Sequence, residues 1–90
     1  MYYVYIVRCR DNSLYTGYTS NVNKRILEHN TSLRGARSIK GKLPVKLVYA
    51  ESLESLGKAL EREKEIKGWR KDKKERLIAL ALMSAAKKRE

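Results

Sequence analysis

Apolar and polar positions alternate with period two at the start of the chain. Tyr2 to Arg8 (YYVYIVR) is dense in β-branched and aromatic residues, which predicts a strand. The alternation puts Tyr3, Tyr5 and Val7 on one face and Tyr2, Val4 and Ile6 on the other. Cys9-Arg10-Asp11-Asn12-Ser13 carries the turn formers Asp, Asn and Ser, and Leu14 to Thr19 returns as a second strand. Residues 1–19 therefore read as a hairpin. Gly17, inside its second strand, predicts a bulge or a close approach by another group.

The period then changes. Thr19-Ser20-Asn21 offers capping side chains for a short helix over 22–29, anchored by Val22 and Ile26. Arg25 and His29, also four apart, share another stripe of that helix. Residues 31–44, with glycines at 35 and 41, scattered serines and Pro44, read as a loop. Val45 to Ala50 alternates again and predicts a third strand. From Leu53 to Lys67, the residues Leu53, Leu56, Ala59, Leu60 and Ile66 form one apolar helical stripe. Glu63 falls near its middle, whereas Glu54, Glu61 and Glu65 lie on the opposite, solvated side. Gly68 ends this helix. Asp72-Lys73-Lys74-Glu75 has the spacing of a capping box, with Asp in place of Ser or Thr. A final amphipathic helix follows through Leu77, Ile78, Ala81, Leu82 and Ala85, and residues 87–90 read as a frayed basic end. With no repeat or linker, residues 1–86 are expected to form one domain with a modest core.

Composition adds a partner. An apolar share of 42% argues against disorder, and 21 Lys+Arg against 10 Asp+Glu leave a net charge of +11. Charge of that size favours a polyanion, of which nucleic acid is the commonest. The loop over 31–44 concentrates Arg34, Arg37, Lys40 and Lys42 with no acidic residue, as phosphate-contacting elements do; a solvated loop is the plain alternative. The single cysteine, Cys9, excludes an intrachain disulfide and suits a buried position in a reducing compartment. The N-terminus has no signal-peptide pattern, and no apolar run approaches the ~18 residues that span a bilayer. A cytoplasmic protein without a membrane partner is expected.

The candidate chemistry is sparse. A carboxylate on an inward face is expensive unless it is paired or holds a metal. For Glu63 two readings stand open: an ion pair with Lys67, four residues on in the favourable direction, or a ligand for a hard divalent cation. Magnesium is commonly held by only one or two carboxylates, with water and phosphate oxygens completing its shell. His29 is the side chain whose unperturbed pKa lies near neutrality, hence the natural proton acceptor. Arg25 could neutralise charge on a phosphate in its transition state. Tyr5 and Tyr15 read as packing residues unless a cation, an arginine or a proton acceptor activates them, because a phenol of pKa about 10 is a poor base. There is no Gly-rich phosphate loop, Cys/His cluster, HExxH or nucleophile elbow.

Taken together these residues resemble a known family. Val4-Tyr5-Ile6 after Tyr3 resembles the first motif of the GIY-YIG nuclease superfamily, and Tyr15-Thr16-Gly17 resembles the second. Arg25, ten residues after the second tyrosine, matches its helix arginine; His29 matches a position holding His or Tyr; Glu63 matches its metal-binding glutamate. The resemblance covers about Tyr2 to Trp69 and is nearest to small stand-alone bacterial members, similar to the N-terminal nuclease domain of UvrC. Tyr3 replaces the first-motif Gly, Thr16 replaces the usual Ile, Tyr18 stands where UvrC-type domains carry lysine, and the late asparagine of some members has no match in Lys73-Lys74-Glu75-Arg76.

The resemblance implies a small α/β domain, a three-stranded antiparallel sheet flanked by helices in the order β-β-α-β-α-α. It implies a metal-dependent DNA endonuclease, structure-selective or weakly sequence-specific, in DNA repair or processing. Glu63 would hold one Mg²⁺ or Mn²⁺. Tyr5, assisted by His29, would help deprotonate the attacking water; Tyr15 would position that water or a phosphate oxygen; Arg25 would stabilise the developing charge. Tyr18, Lys24, Arg34, Arg37, Lys40 and Lys42 are the expected nucleic-acid contacts, with DNA ahead of RNA. Two rivals remain: a nucleic-acid-binding module that kept the fold without the reaction, and a ribosome- or partner-associated protein using Leu77 to Leu82 as an interface.

Overall fold

A computed structural model describes residues 1–31 and 41–88, with side chains described through Ser84. The elements are β1 (Tyr2–Arg8), β2 (Leu14–Thr19), α1 (Val22–Thr31), β3 (Lys46–Leu53), α2 (Leu56–Lys67) and α3 (Lys71–Lys88). This is the expected β-β-α-β-α-α order. The strands form one antiparallel sheet in the order β2-β1-β3, so β1 is central and both of its faces are covered. On one face Val4 and Ile6, with Tyr2, pack against Ala59 and Ile66 of α2 and Ile78 of α3. On the other, Tyr5, Val7 and Cys9 pack with Val45, Tyr15 and Ile26 of α1. The period-two split is thus a division between two cores.

The hairpin turn uses the chemistry its residues offer. Asn12 takes a left-handed φ of 74°, tolerable for Asn, and the Asp11 carboxylate accepts from both the backbone N–H and the hydroxyl of Ser13. Asn21 caps α1, its Oδ1 accepting from the Lys24 N–H at 3.1 Å, and the helix runs to Thr31, beyond the expected 29.

The middle of the chain departs from the sequence pattern. The third strand starts at Lys46 and reaches Leu53. Val45 is buried outside it, its N–H donating to Asn30 Oδ1 (2.7 Å) and its carbonyl accepting from Asn30 Nδ2 (3.2 Å). Pairing with β1 slips between Ile6 and Val7, whose partners are Tyr49 and Leu47, so strict alternation fails there. Val48 and Tyr49 consequently pack against the same core. Leu53 pairs with Tyr2 instead of opening a helix; α2 begins after Ser55, whose hydroxyl accepts from the Lys58 N–H. The inner line of α2 is Ala59 and Ile66, while Leu56 and Leu60 are each 41% exposed at its margin.

The expected capping box does not form. Asp72 sits inside the first turn of α3, and the Glu75 carboxylate is taken by the Arg8 guanidinium in two hydrogen bonds of 2.6 and 2.7 Å. The helix continues through Lys88, so the basic end is not frayed that far; Arg89 and Glu90 lie outside the described residues. No described helix is long and apolar enough to cross a membrane.

Candidate active site

Tyr5 is the centre of the site, and β2 is shaped around it. The residue opposite Tyr5 is Gly17, and a Cβ built there would lie 2.5 Å from Tyr5 Oη and 2.7 Å from Cζ. The glycine marks the close approach its sequence context suggests, and the group that approaches is the phenol. The ring passes over Gly17, 1% exposed, and its hydroxyl reaches α1.

There Tyr5 Oη meets His29 Nε2 at 2.8 Å, a buried contact between residues 24 apart in the chain. Tyr15, two residues from Gly17 and opposite Val7, completes a cluster of three rings. Its centroid is 6.5 Å from that of Tyr5 and 5.6 Å from that of His29, the latter pair meeting edge to face at 73°. Helical spacing places Arg25 one turn before His29, and Glu28 holds its guanidinium at 3.3 Å.

Electrostatics separate the partners. Burial pushes the Tyr5 phenol up to about 12, although a hydrogen bond from Arg25 pulls the other way; the charge of Glu63 adds to the rise. Burial and then the positive charge of Arg25 push the His29 imidazole below its ordinary range. At neutral pH the phenol keeps its proton and the imidazole is uncharged. A neutral imidazole in contact with a protonated phenol is competent to take a proton through it.

Glu63 reaches this cluster from α2 on the far side of β2. Its side chain is 15% exposed, and Lys67 Nζ stands 3.6 Å from its Oε2, so the ion-pair reading is realised. The same ammonium lies 5.8 Å from the Tyr15 ring centroid, which ties α2 to the tyrosines. No group of three or more His, Cys, Asp or Glu capable of holding a metal occurs among the described residues. A single inward carboxylate fits a hard divalent cation that takes its remaining ligands from water and a substrate phosphate.

The five catalytic candidates, Tyr5, Tyr15, Arg25, His29 and Glu63, therefore come from four elements to one region. The nucleic-acid candidates do not converge in the same way. Tyr18 is 41% exposed beside Val4 on the edge strand, and Lys24 is exposed in the first turn of α1. Lys42 is drawn to the hairpin turn, where Asp11 meets its charge at 3.5 Å, so that loop is partly compensated after all. Arg34, Arg37 and Lys40 lie outside the described residues. Two neighbours of the site carried no strong signal. Glu28 is recognisable only by its i,i+3 spacing to Arg25. Lys74 comes near Lys67 across a break between helices, which no periodicity reveals.

A family model described as the GIY-YIG catalytic domain matches residues 1–76. A UPF0213 protein of Natronomonas pharaonis is 47% identical over 78 residues, covering 87% of this chain and 91% of its own. One from Staphylococcus haemolyticus is 51% identical over 77 residues, covering 86% and 93%. The solution NMR structure of a UPF0213 protein from Bacillus halodurans superposes with a TM-score of 0.57 at 42% identity, over 89% of this chain and 85% of that one. The arrangement of two tyrosine strands, helix arginine and histidine, and inward glutamate is thus carried by a chain that belongs to the GIY-YIG nuclease superfamily, among the small UPF0213 proteins.

Proposed function

We propose that the protein is a divalent-metal-dependent DNA endonuclease, structure-selective or weakly sequence-specific, that acts in DNA repair or processing. The observation that carries this reading is the buried 2.8 Å contact between Tyr5 Oη and His29 Nε2. A phenol held near 12 cannot act as a free phenolate at neutral pH. It can pass a proton: the attacking water gives one to Tyr5 Oη as the Tyr5 O–H gives its own to neutral His29 Nε2, leaving an imidazolium behind and hydroxide to attack phosphorus, while the P–O bond on the opposite side breaks and its oxygen leaves with a proton from solvent water. His29 Nε2 is taken by the Tyr5 hydroxyl, so His29 acts through it; both groups are buried, and the attacking water has to enter beside Tyr5 Oη. Arg25 balances charge on the phosphate, and Tyr15 orients the water or a phosphate oxygen. Mg²⁺ or Mn²⁺ at Glu63 would supply positive charge to the scissile phosphate.

The test is cleavage of branched, duplex and single-stranded DNA in Mg²⁺ or Mn²⁺. Glu63→Gln is expected to abolish product while the protein melts as before, and cleavage by that variant overturns the assignment. The Glu63–Lys67 ion pair favours a second reading, a nucleic-acid-binding module that keeps the fold without the reaction. Salt-sensitive DNA binding with no product in any divalent metal would identify it.

A further inference from the structure

The end of α2 and the start of α3 form a basic corner that no role described so far uses. Residues 64–76 hold seven Lys and Arg against three Asp and Glu. Two of those acids are already answered from outside the segment: Glu65 by Arg62 at 2.6 Å and Glu75 by Arg8 at 2.6 Å. Helix stability does not explain the surplus. Lysines in the first turn of α3 stand at the end where the helix dipole disfavours cations, and Asp72 is the one acid there. Lys73 has a local explanation, since its ammonium lies 4.3 Å over the Trp69 ring.

Lys67 is held by Glu63 and the Tyr15 ring, but Lys74 has no such account: it is half-buried, and its ammonium makes no ion pair, hydrogen bond or ring contact among the described residues. Lys67 closes α2 and Lys74 stands in the first turn of α3, so the two flank the short turn over residues 68–70, and burial followed by the charge of Lys67 pushes the Lys74 ammonium down. Two cations on either side of one short turn, one of them without a counterion among the described residues, suit a polyanion lying over both. Lys67 is also where the corner meets the site, 3.6 Å from Glu63 Oε2 and 5.8 Å from the Tyr15 ring centroid. It is half exposed, so its ammonium can turn outward on its flexible stem.

We propose that Lys67 and Lys74 hold the phosphate backbone of bound DNA on the α2–α3 side of the site, and that Lys67 leaves Glu63 for a phosphate when DNA binds. This rests on the nucleic-acid reading above but not on cleavage, because the backbone contact forms without metal. It gives DNA a path across α2 and α3 in addition to the start of α1, where Lys24 lies. It also couples the two events at Glu63: the carboxylate that Lys67 leaves for a phosphate would be free to hold a divalent cation.

The experiment is fluorescence anisotropy of a short labelled DNA duplex with the full chain in EDTA, titrated across salt. Lys67→Gln and Lys74→Gln are each expected to reduce the slope of log affinity against log salt by about 0.9, the value for one duplex phosphate contact. Lys58→Gln removes the same charge from the Glu54 pair at the other end of α2 and should leave the slope unchanged. Glu63→Gln releases Lys67, so it should bind DNA several-fold tighter, and the gain should vanish in the Glu63→Gln/Lys67→Gln double variant. Lys67→Arg and Lys74→Arg should retain the slope, which separates lost contact from lost folding, as does a melt like that of the unsubstituted protein. Equal slopes for Lys58→Gln and the two site variants overturn the proposal, as does an undiminished Glu63→Gln gain without Lys67. Tighter binding of duplex RNA than of DNA overturns the choice of DNA. Absence of cleavage with these slope changes intact would defeat the nuclease reading alone; cleavage with unchanged slopes would defeat this proposal alone.

Discussion

Gly17 and Tyr5 face each other across β1 and β2 so closely that the glycine is a part of the tyrosine's binding site. The nearest phenol atom stands 2.5 Å from where a Cβ would be. Gly17→Ala is therefore expected to push the ring off β2 and break its contact with His29. Overpacking of this kind costs about 1–3 kcal/mol. A denaturant melt should register the loss, and DNA cleavage should fall with it. An alanine variant of undiminished stability and rate would mean that the ring has room elsewhere.

Tyr5→Phe separates packing from chemistry. It keeps the ring and removes the hydroxyl, leaving a buried imidazole nitrogen without this partner at a cost of about 1–3 kcal/mol. Removing a proton-transfer group should slow cleavage by roughly 10²- to 10⁴-fold. DNA affinity should be unchanged. A variant that cleaves at the original rate would exclude Tyr5 from the proton path.

Stability should depend on pH through His29. Its folded pKa lies below the ordinary 6.5, so between the two values the unfolded chain binds more protons than the folded one. The favourable contribution is complete above about 6.5 and is lost as pH falls from there toward the depressed folded value. Urea midpoints measured between about pH 8 and about pH 5 should decline in the unsubstituted protein. In His29→Gln that decline should be absent. Asp11 and Glu75, whose carboxyls are held below 3.8 and 4.5 by hydrogen bonds from Ser13 and Arg8, lose their contributions only at more acidic pH.

Thr16 offers a gain instead of a loss. Its hydroxyl is buried and has no hydrogen-bond partner among the described residues, on the face where β2 pairs with Ile6. Thr16→Val keeps the shape and removes the unmet polar atom, so stability should rise by about 1 kcal/mol. Thermal melts of the two proteins decide it; a destabilised valine variant would reveal a water or partner for that hydroxyl.

What the sequence makes legible is what short-range pattern controls. The two faces of Tyr2–Arg8 and the spacing of Arg25 and His29 follow from local periodicity and are found in the structure. So does the inward placement of Glu63, between buried Ala59 and Ile66. The boundary near Leu53 does not. Leu53 suits the helical stripe as well as a strand, and only its pairing with Tyr2, fifty-one residues earlier, together with the Ser55 cap, decides between them. The slip between Ile6 and Val7 is likewise a property of two strands and is invisible in either. Glu75 has the offset of a capping box, but a distant arginine outcompetes the helix end for its carboxylate. The depth of Tyr5 was unreadable for a related reason: it depends on a glycine twelve residues away being its cross-strand partner.

Because β1 is the central strand, with a core against α2 and α3 on one side and Tyr5 with His29 on the other, the candidate site is encoded in odd and even numbering. One residue inserted between Tyr2 and Tyr5 would exchange the parity of every side chain beyond it unless a bulge absorbed the extra length. Odd positions would then offer Val4 or Ile6 to His29, and the phenol would enter the apolar core. Substitution can tune this strand, but a change in its length by one cannot be tolerated by half of it. The first strand should therefore vary among functioning variants by replacement and in steps of two, with a single insertion or deletion only where a bulge absorbs it.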